Sequence, residues 1–470
     1  LSLVPKVSPN RVFCNHNLDM GLINAFGFDY DHTLANYKSN VDKMIYDNTV
    51  EYLCQVLGYP KQLYKTEYDS SLVIRGLNFD KKTGNLMKLN EFYKIGTRTI
   101  YNGYDPVSLE DIHEQYNGLR INANYFDQYF HALTDLFCIP KGCLYVNVIE
   151  TLRSLNIPFE PQYIFDDINK GIDIQHSSPN GFHKAISKNP EKYINKPEKF
   201  DLLFKQIKDQ NRKLFLITNN SFQNVNNGMA FLFENIVKDF GLKNWTQVFD
   251  IVITEAKKPS WFSSSRKFRE YEMETNTIKF APIMNKKNNN NIYVGGCLAE
   301  FERLTGITSE NVLYFGDSIG SDLSGPYKVC QWKTCAILRE LNDEINLNND
   351  LNFRKVLTEL LEIDHLLQDS QLIVSNSTGN EQIEGQKLLD ELRTLRSIAR
   401  TNTKEVYNAR FGSVFRTHST RTLFFHEMAK YSDIYCGEIT YMCDYAPNHL
   451  FNCRRLFYDH EPNYWYIESQ

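Results

Sequence analysis

The stretch Ala25-Phe26-Gly27-Phe28-Asp29-Tyr30-Asp31-His32-Thr33-Leu34 narrows sharply what this chain can fold into. It opens as an apolar, aromatic run, which reads as a short strand buried on both faces. It ends in two carboxylates one residue apart, then a hydroxyl. Parallel α/β sheets build their sites at the carboxyl ends of their strands, so acids delivered there mark a candidate site. Taken alone, an acid-rich turn after a strand explains the pattern equally well. Later segments decide between the two.

Lys213-Leu214-Phe215-Leu216-Ile217 reads as a strand ending in Thr218-Asn219-Asn220-Ser221. Phe249-Asp250-Ile251-Val252-Ile253 is followed by Lys257-Lys258-Pro259, and Val312-Leu313-Tyr314-Phe315 by Gly316-Asp317-Ser318. Thr334-Cys335-Ala336-Ile337-Leu338 reads as the last strand. Helical patterns separate these runs, which implies an α/β fold with a doubly wound parallel sheet. In such a sheet Asp29, Asp31, Thr33, Thr218, Asn219, Lys258, Asp317 and Asp322 fall along one edge.

That set has a definite chemistry. Two carboxylates about 4 Å apart repel by roughly 4 kcal/mol at an effective dielectric near 20, so several together need a cation or a proton. Oxygen donors without His or Cys suit Mg²⁺, with Asp29, Asp31 and Asp317 as ligands and Asp322 supporting the metal shell or Lys258. Asp29 can act as nucleophile on a phosphoryl group. Asp31 can protonate the leaving alcohol and then deprotonate water. Thr218 and Asn219 offer donors to phosphate oxygens, and Lys258 neutralises their charge. Each piece has a plain alternative: Thr218 is an acceptable helix cap, and a lysine before proline is often a solvated loop charge.

The rest of the chain gives less. A net charge of −5 supplies no basic field for nucleic acid, and no apolar run is long enough to span a membrane. No C-x-x-C pair occurs among the ten cysteines, which disfavours zinc and fits a reducing compartment. A helix is expected over Val41–Gly58. A hairpin is expected around Lys81-Lys82-Thr83-Gly84, and mainly helix over 105–160 and 190–209. His176-Ser177-Ser178-Pro179-Asn180-Gly181 reads as a loop, and Asn285–Asn291 as a low-complexity loop. Residues 371–382 read as a polar linker. Leu388, Leu392, Leu395 and Ile398 form a stripe expected to pack on the rest of the chain.

Together the motifs Asp29-Tyr30-Asp31-His32-Thr33, Thr218, Lys258 and Gly316-Asp317-Ser318-Ile319-Gly320-Ser321-Asp322 resemble those of the haloacid dehalogenase (HAD) superfamily. Several further segments are similar to the cytosolic purine 5′-nucleotidase family. These are Phe26–Ala35, Tyr68-Asp69-Ser70 with Arg75-Gly76-Leu77, Gly84-Asn85-Leu86, and Phe411-Gly412-Ser413-Val414-Phe415-Arg416-Thr417. Tyr458-Asp459-His460-Glu461-Pro462 is closer to the 5′-nucleotidase domain-containing branch.

The resemblance implies a HAD-like Rossmannoid core with a mainly helical cap inserted between the first and second motifs. On that reading the core is 1–40 and 200–345, the cap 41–199, and a helical extension 346–470. It implies Mg²⁺-dependent hydrolysis of a small phosphomonoester, a nucleoside monophosphate foremost, by a dimeric or tetrameric enzyme. The protein would be cytoplasmic, or mitochondrial if a presequence has been removed. Asp167 and His176 match positions that hold the nucleotide. Gln162 and Ser178 stand where the purine enzyme carries Arg and Lys, so two cationic contacts are missing. A catalytically weak binding or regulatory protein is the alternative.

Overall fold

The computed structural model describes residues 5–177, 181–282 and 291–455. The strand Ala25–Phe28 lies inside a ten-stranded sheet, between Val312–Gly316 and Lys213–Ile217. Outward on one side follow Lys333–Ile337 and Ile434–Cys436; on the other follow Ile251–Thr254 and Ile292–Gly295. All of these run parallel. Antiparallel strands close both edges, Phe13–Cys14 on one side and the hairpin Phe268–Glu272/Thr277–Pro282 on the other.

Two separate apolar clusters flank the sheet, and the opening strand feeds both. Phe26 and Phe28 join Leu214, Leu216, Leu313 and Phe315 in one. Ala25 joins Phe215, Ile217, Tyr314 and Trp332 in the other. Burial on both faces is why these strands read as continuous apolar runs without alternation. Gly27 is dictated by the second face. A Cβ there would lie 2.2 Å from the Phe215 ring and 2.6 Å from that of Tyr314.

The architecture expected from the resemblance is present: a parallel core sheet, helices on it, and a long insertion after the first motif. The insertion carries the helices Ser39–Gln55, Cys138–Ser154 and Pro161–Ser177. It also carries a five-stranded antiparallel sheet. The expected hairpin, Asn78–Asp80 with Asn85–Leu89, forms the middle of that sheet. Among the described residues no helix is long and apolar enough to cross a membrane.

Five expectations are corrected. Thr334–Leu338 is not the last strand, because Ile434–Cys436 returns to pair with it in parallel. The helix expected over 190–209 breaks at Ile194–Asn195, which pairs with Asn36–Tyr37, and resumes at Phe200. The polar linker shrinks to 377–379. The helix Leu351–Asn376 runs into it, with the Ser375 and Asn376 side chains donating to the carbonyls of Gln371 and Leu372. Of the stripe, Leu388, Leu395 and Ile398 are about half exposed, at 50, 51 and 54%, and Leu392 is partly buried. The helix Asn380–Tyr407 buries Leu389 instead, one residue or about 100° round. His176 lies within a helix rather than a loop. Residues 178–180, most of the Asn285–Asn291 run and Tyr458–Pro462 lie outside the described residues.

Candidate active site

Three adjacent strand ends, those after Phe28, Ile217 and Gly316, deliver Asp29, Thr218 and Asp317 to one edge; Lys258 arrives from beyond Thr254. Asp29 continues the strand register by one bond, its N–H donating to Phe315 O at 3.0 Å. The Thr218 N–H does the same to Ile253 O at 2.9 Å. Its Oγ1 accepts from Asn220 N at 3.2 Å.

Lys258 is the centre of the charge arrangement. Its Nζ donates to Asp29 Oδ1 at 2.8 Å, to Tyr314 Oη at 2.9 Å and to Asp322 Oδ1 at 2.5 Å. An ammonium has three protons, and all three are used. Asn219 fixes the lysine's backbone. Its Oδ1 accepts from Lys258 N at 2.6 Å and its Nδ2 donates to Lys258 O at 3.1 Å. The side chain assigned to substrate therefore also shapes the loop that presents the ammonium.

Asp322 accepts on its second oxygen from Ser318 N at 3.2 Å and Ser321 Oγ at 3.1 Å. Gly316 makes room for it, since a Cβ there would sit 2.2 Å from Asp322 Cβ. Asp317 differs: its Oδ2 is buried with no hydrogen-bond partner. Arg75 Nη1 reaches its main-chain oxygen at 3.4 Å.

Burial raises the Asp29 carboxyl to about 8, against the pull of Lys258 and with the help of the Asp322 and Asp31 charges. Burial, then the Asp322 charge, pushes Asp317 well above the usual carboxylate range. For Lys258 burial works downward, and the charges of Asp29 and Asp322 outweigh it and hold the ammonium protonated. The site carries more buried carboxylate than its one ammonium can ionise. Asp29, Asp317 and Asp322 present oxygens within 4.8 Å of one another, a cluster able to coordinate a divalent cation. Asp322 already spends both oxygens on the protein, which leaves Asp29 and the unpartnered Asp317 Oδ2 as the open donors.

The Asp31 side chain is not brought into that cluster. It accepts from Tyr37 Oη at 2.7 Å and from Asn220 Nδ2. Burial raises it to about 6, against the hydrogen bond from Tyr37. An acid near neutrality, clamped on both oxygens, is suited to proton transfer.

Asp29, Asp31, Asn219, Lys258, Asp317 and Asp322 line a cavity of about 600 Å³, and Thr218 lies buried behind the lining. The insertion closes it with Asp135, Phe137 and His176. Asp167 is not on the lining; it accepts from Tyr59 Oη at 2.8 Å. Gln162 is turned aside too, donating to Asp166 at 3.0 Å. Sequence reasoning missed Tyr37, Asp135, Phe137, Asn220 and Glu255. Asn220, next to Thr218-Asn219, could have been found from its position after the strand. The others carry no local signal.

A family model described as 5′ nucleotidase family matches residues 12–463. A 5′-nucleotidase domain-containing protein of Dictyostelium discoideum is 34% identical, covering 98% of this chain and 76% of its own length. The human 5′-nucleotidase domain-containing protein 2 is 29% identical, covering 98% of this chain and 86% of its own. Among solved structures, a HAD phosphatase from Thermococcus onnurineus matches 67% of this chain and 87% of its own, at 14% identity and a TM-score of 0.26. So distant a likeness adds nothing to what the strand ends already provide.

Proposed function

Because this chain belongs to the 5′ nucleotidase family, we propose that it is a Mg²⁺-dependent phosphomonoesterase that hydrolyses a nucleoside 5′-monophosphate through an aspartyl-phosphate. The observation that carries this reading is Lys258 bound to Asp29 and Asp322 beside the unpartnered Asp317 Oδ2. A nucleophile, its neutralising cation and an open acidic donor then meet at one point.

The fit to a hard divalent cation rests on that orphaned oxygen and on the carboxylate excess. When bound by Asp29 and Asp317, Mg²⁺ would supply charge neutralisation and let both acids ionise. The chain's own residues do the rest. A carboxylate oxygen of Asp29 attacks phosphorus, and the bond from phosphorus to the ester oxygen breaks. Asp31, protonated, gives its proton to the departing alkoxide. Asp31 then takes a proton from water, whose oxygen attacks the same phosphorus and releases phosphate, returning Asp29 as a carboxylate. Thr218 and Lys258 stabilise the charge on the transferring group. Tyr37 and Asn220 hold Asp31 in line. The insertion, 41–199, provides the leaving-group end of the site.

The test is phosphate release with Mg²⁺ over nucleoside monophosphates and small sugar phosphates, beside Asp29→Asn. Release from one substrate class, reduced at least about 10³-fold in the variant, is expected. Equal release from both proteins, or none from either with Mg²⁺ bound, would overturn the reading.

A further inference from the structure

The insertion's end of the cavity holds an acid that the mechanism does not use. Asp135 sits in the turn between the strand Phe130–Ala132 and the helix Cys138–Ser154. It lines the cavity beside Phe137 and His176, opposite the strand-end acids of the core. Its Oδ1 is buried and has no hydrogen-bond partner. A buried acceptor without a donor is a standing cost, removed when a ligand supplies the donor.

No protein group in the structure supplies a donor to Asp135 Oδ1, so a ligand in the cavity is placed to do so. Lys258 has spent all three protons. His176 packs edge-on against Phe137 at 4.5 Å, and burial pushes it down to about 4, so it brings no positive charge. Around the whole cavity, Asp29, Asp31, Asp135, Glu255, Asp317 and Asp322 face a single ammonium, Lys258. One divalent cation and one phosphoryl group suit the core end. At the insertion end no cation on the cavity lining pairs with Asp135.

We propose that Asp135 is the specificity-determining residue for the leaving group. Its carboxylate accepts a hydrogen bond from a hydroxyl or amine of the leaving alcohol, and it turns away leaving groups that carry a second anion. This rests on the phosphomonoesterase reading and names the chemistry of its substrate: a monophosphate whose leaving alcohol is neutral and bears donors. It also accounts for a site without the cations expected at Gln162 and Ser178. A carboxylate in the cavity selects by accepting, where an Arg and a Lys would select by donating.

The experiment is equilibrium calorimetry with Mg²⁺ on the Asp29→Asn chain, with and without Asp135→Ala or Asp135→Asn. The probes are adenosine 5′-monophosphate, its 2′,3′-dideoxy analogue, purine riboside 5′-monophosphate, adenosine 3′,5′-bisphosphate and phenyl phosphate. Asp135→Ala is expected to weaken adenosine 5′-monophosphate at least tenfold and phenyl phosphate, which has no donor, less than twofold. Whichever analogue loses its sensitivity to Asp135→Ala lacks the donor that Asp135 reads, a ribose hydroxyl or the base amine. Asp135→Asn should bind the bisphosphate at least fivefold tighter than the parent does. Equal weakening of every probe, or of none, would overturn the role of Asp135 alone. Failure of all probes to bind a folded chain would overturn this inference and the nucleotidase reading together. Selective binding through Asp135, with no phosphate release from the chain that retains Asp29, would remove only the hydrolytic reading.

Discussion

Lys258 shows how much one side chain can hold together. Its side chain is 1% exposed, and it lies between Asp29 and Asp322, also nearly buried. Removing one partner of a buried ion pair leaves uncompensated charge and costs about 3–5 kcal/mol. Lys258→Met should therefore lower the unfolding free energy read from urea denaturation by that much in the absence of Mg²⁺, besides abolishing phosphate release. Adding Asp322→Asn should restore part of the stability and none of the activity. A Lys258→Met chain as stable as the parent would mean that the two acids are protonated and the ammonium neutralises nothing. Asp29, Thr218, Asp317 and Asp322 were legible because each follows an apolar run by a few residues. Lys258 is separated from its neighbour Lys257 by burial, Lys257 being exposed. Asp135 and Phe137 follow no such run. They reach the cavity through the packing of the insertion, which no local pattern encodes.

At the scale of elements, the sheet was legible where both its faces are buried and obscure where they are not. Val312–Gly316 and Lys213–Ile217 announce themselves as unbroken apolar runs. Ile292–Gly295 is just as buried, but it is only four residues long and follows an Asn-rich stretch, so its run is too short to stand out. Phe268–Glu272 lies one strand in from the edge, has mixed burial and carries charged residues, which hid it. The opening strand supplies the sharpest test of the two-faced sheet. A methyl group at Gly27 meets the Phe215 and Tyr314 rings well inside van der Waals contact. Overpacking of this kind typically costs about 1–3 kcal/mol. Gly27→Ala should lose that much by thermal unfolding and shift Asp29, two residues on, enough to lower phosphate release. Unchanged stability would mean that the rings at 215 and 314 can move aside, and that the sheet does not fix Asp29 as rigidly as its register suggests.

Across the whole molecule, the insertion is strapped to the rest of the chain from two directions. Arg75 pairs with Glu340 at 2.7 Å and reaches the Asp317 carbonyl. Lys88 donates to the carbonyls of Ser413 and Arg416 at 3.1 and 3.0 Å. Glu344 accepts from Ser413 Oγ and Val414 N, both at 2.6 Å. The segments Arg75-Gly76-Leu77 and Phe411–Thr417 thus act as fastenings, and they are distant in sequence because they join separate parts of the fold. A third joint is apolar and acid-sensitive. The helix Phe182–Lys188 packs on Phe222–Asp239 of the core and carries His183, 2% exposed with neither ring nitrogen partnered. Burial, then the nearby His176, pushes His183 down to about 3. In the unfolded chain an imidazole titrates near 6.5. Between those two values the unfolded state binds a proton that the folded state refuses. Stability is therefore full above about pH 6.5 and falls as the pH drops through that window. At pH 5 the loss from His183 alone is about 2 kcal/mol. His183→Phe should leave stability at pH 7.5 nearly unchanged, or shift it by a constant amount at every pH. It should shrink the difference between pH 7.5 and pH 5 by about 2 kcal/mol, read from urea unfolding at each pH. Because His176 shares this joint and lines the cavity, the same acid window should loosen substrate binding before the core sheet unfolds. A His183→Phe chain with the parent's pH slope would show that the imidazole finds a proton in the folded state, and that the acid-sensitive joint lies elsewhere.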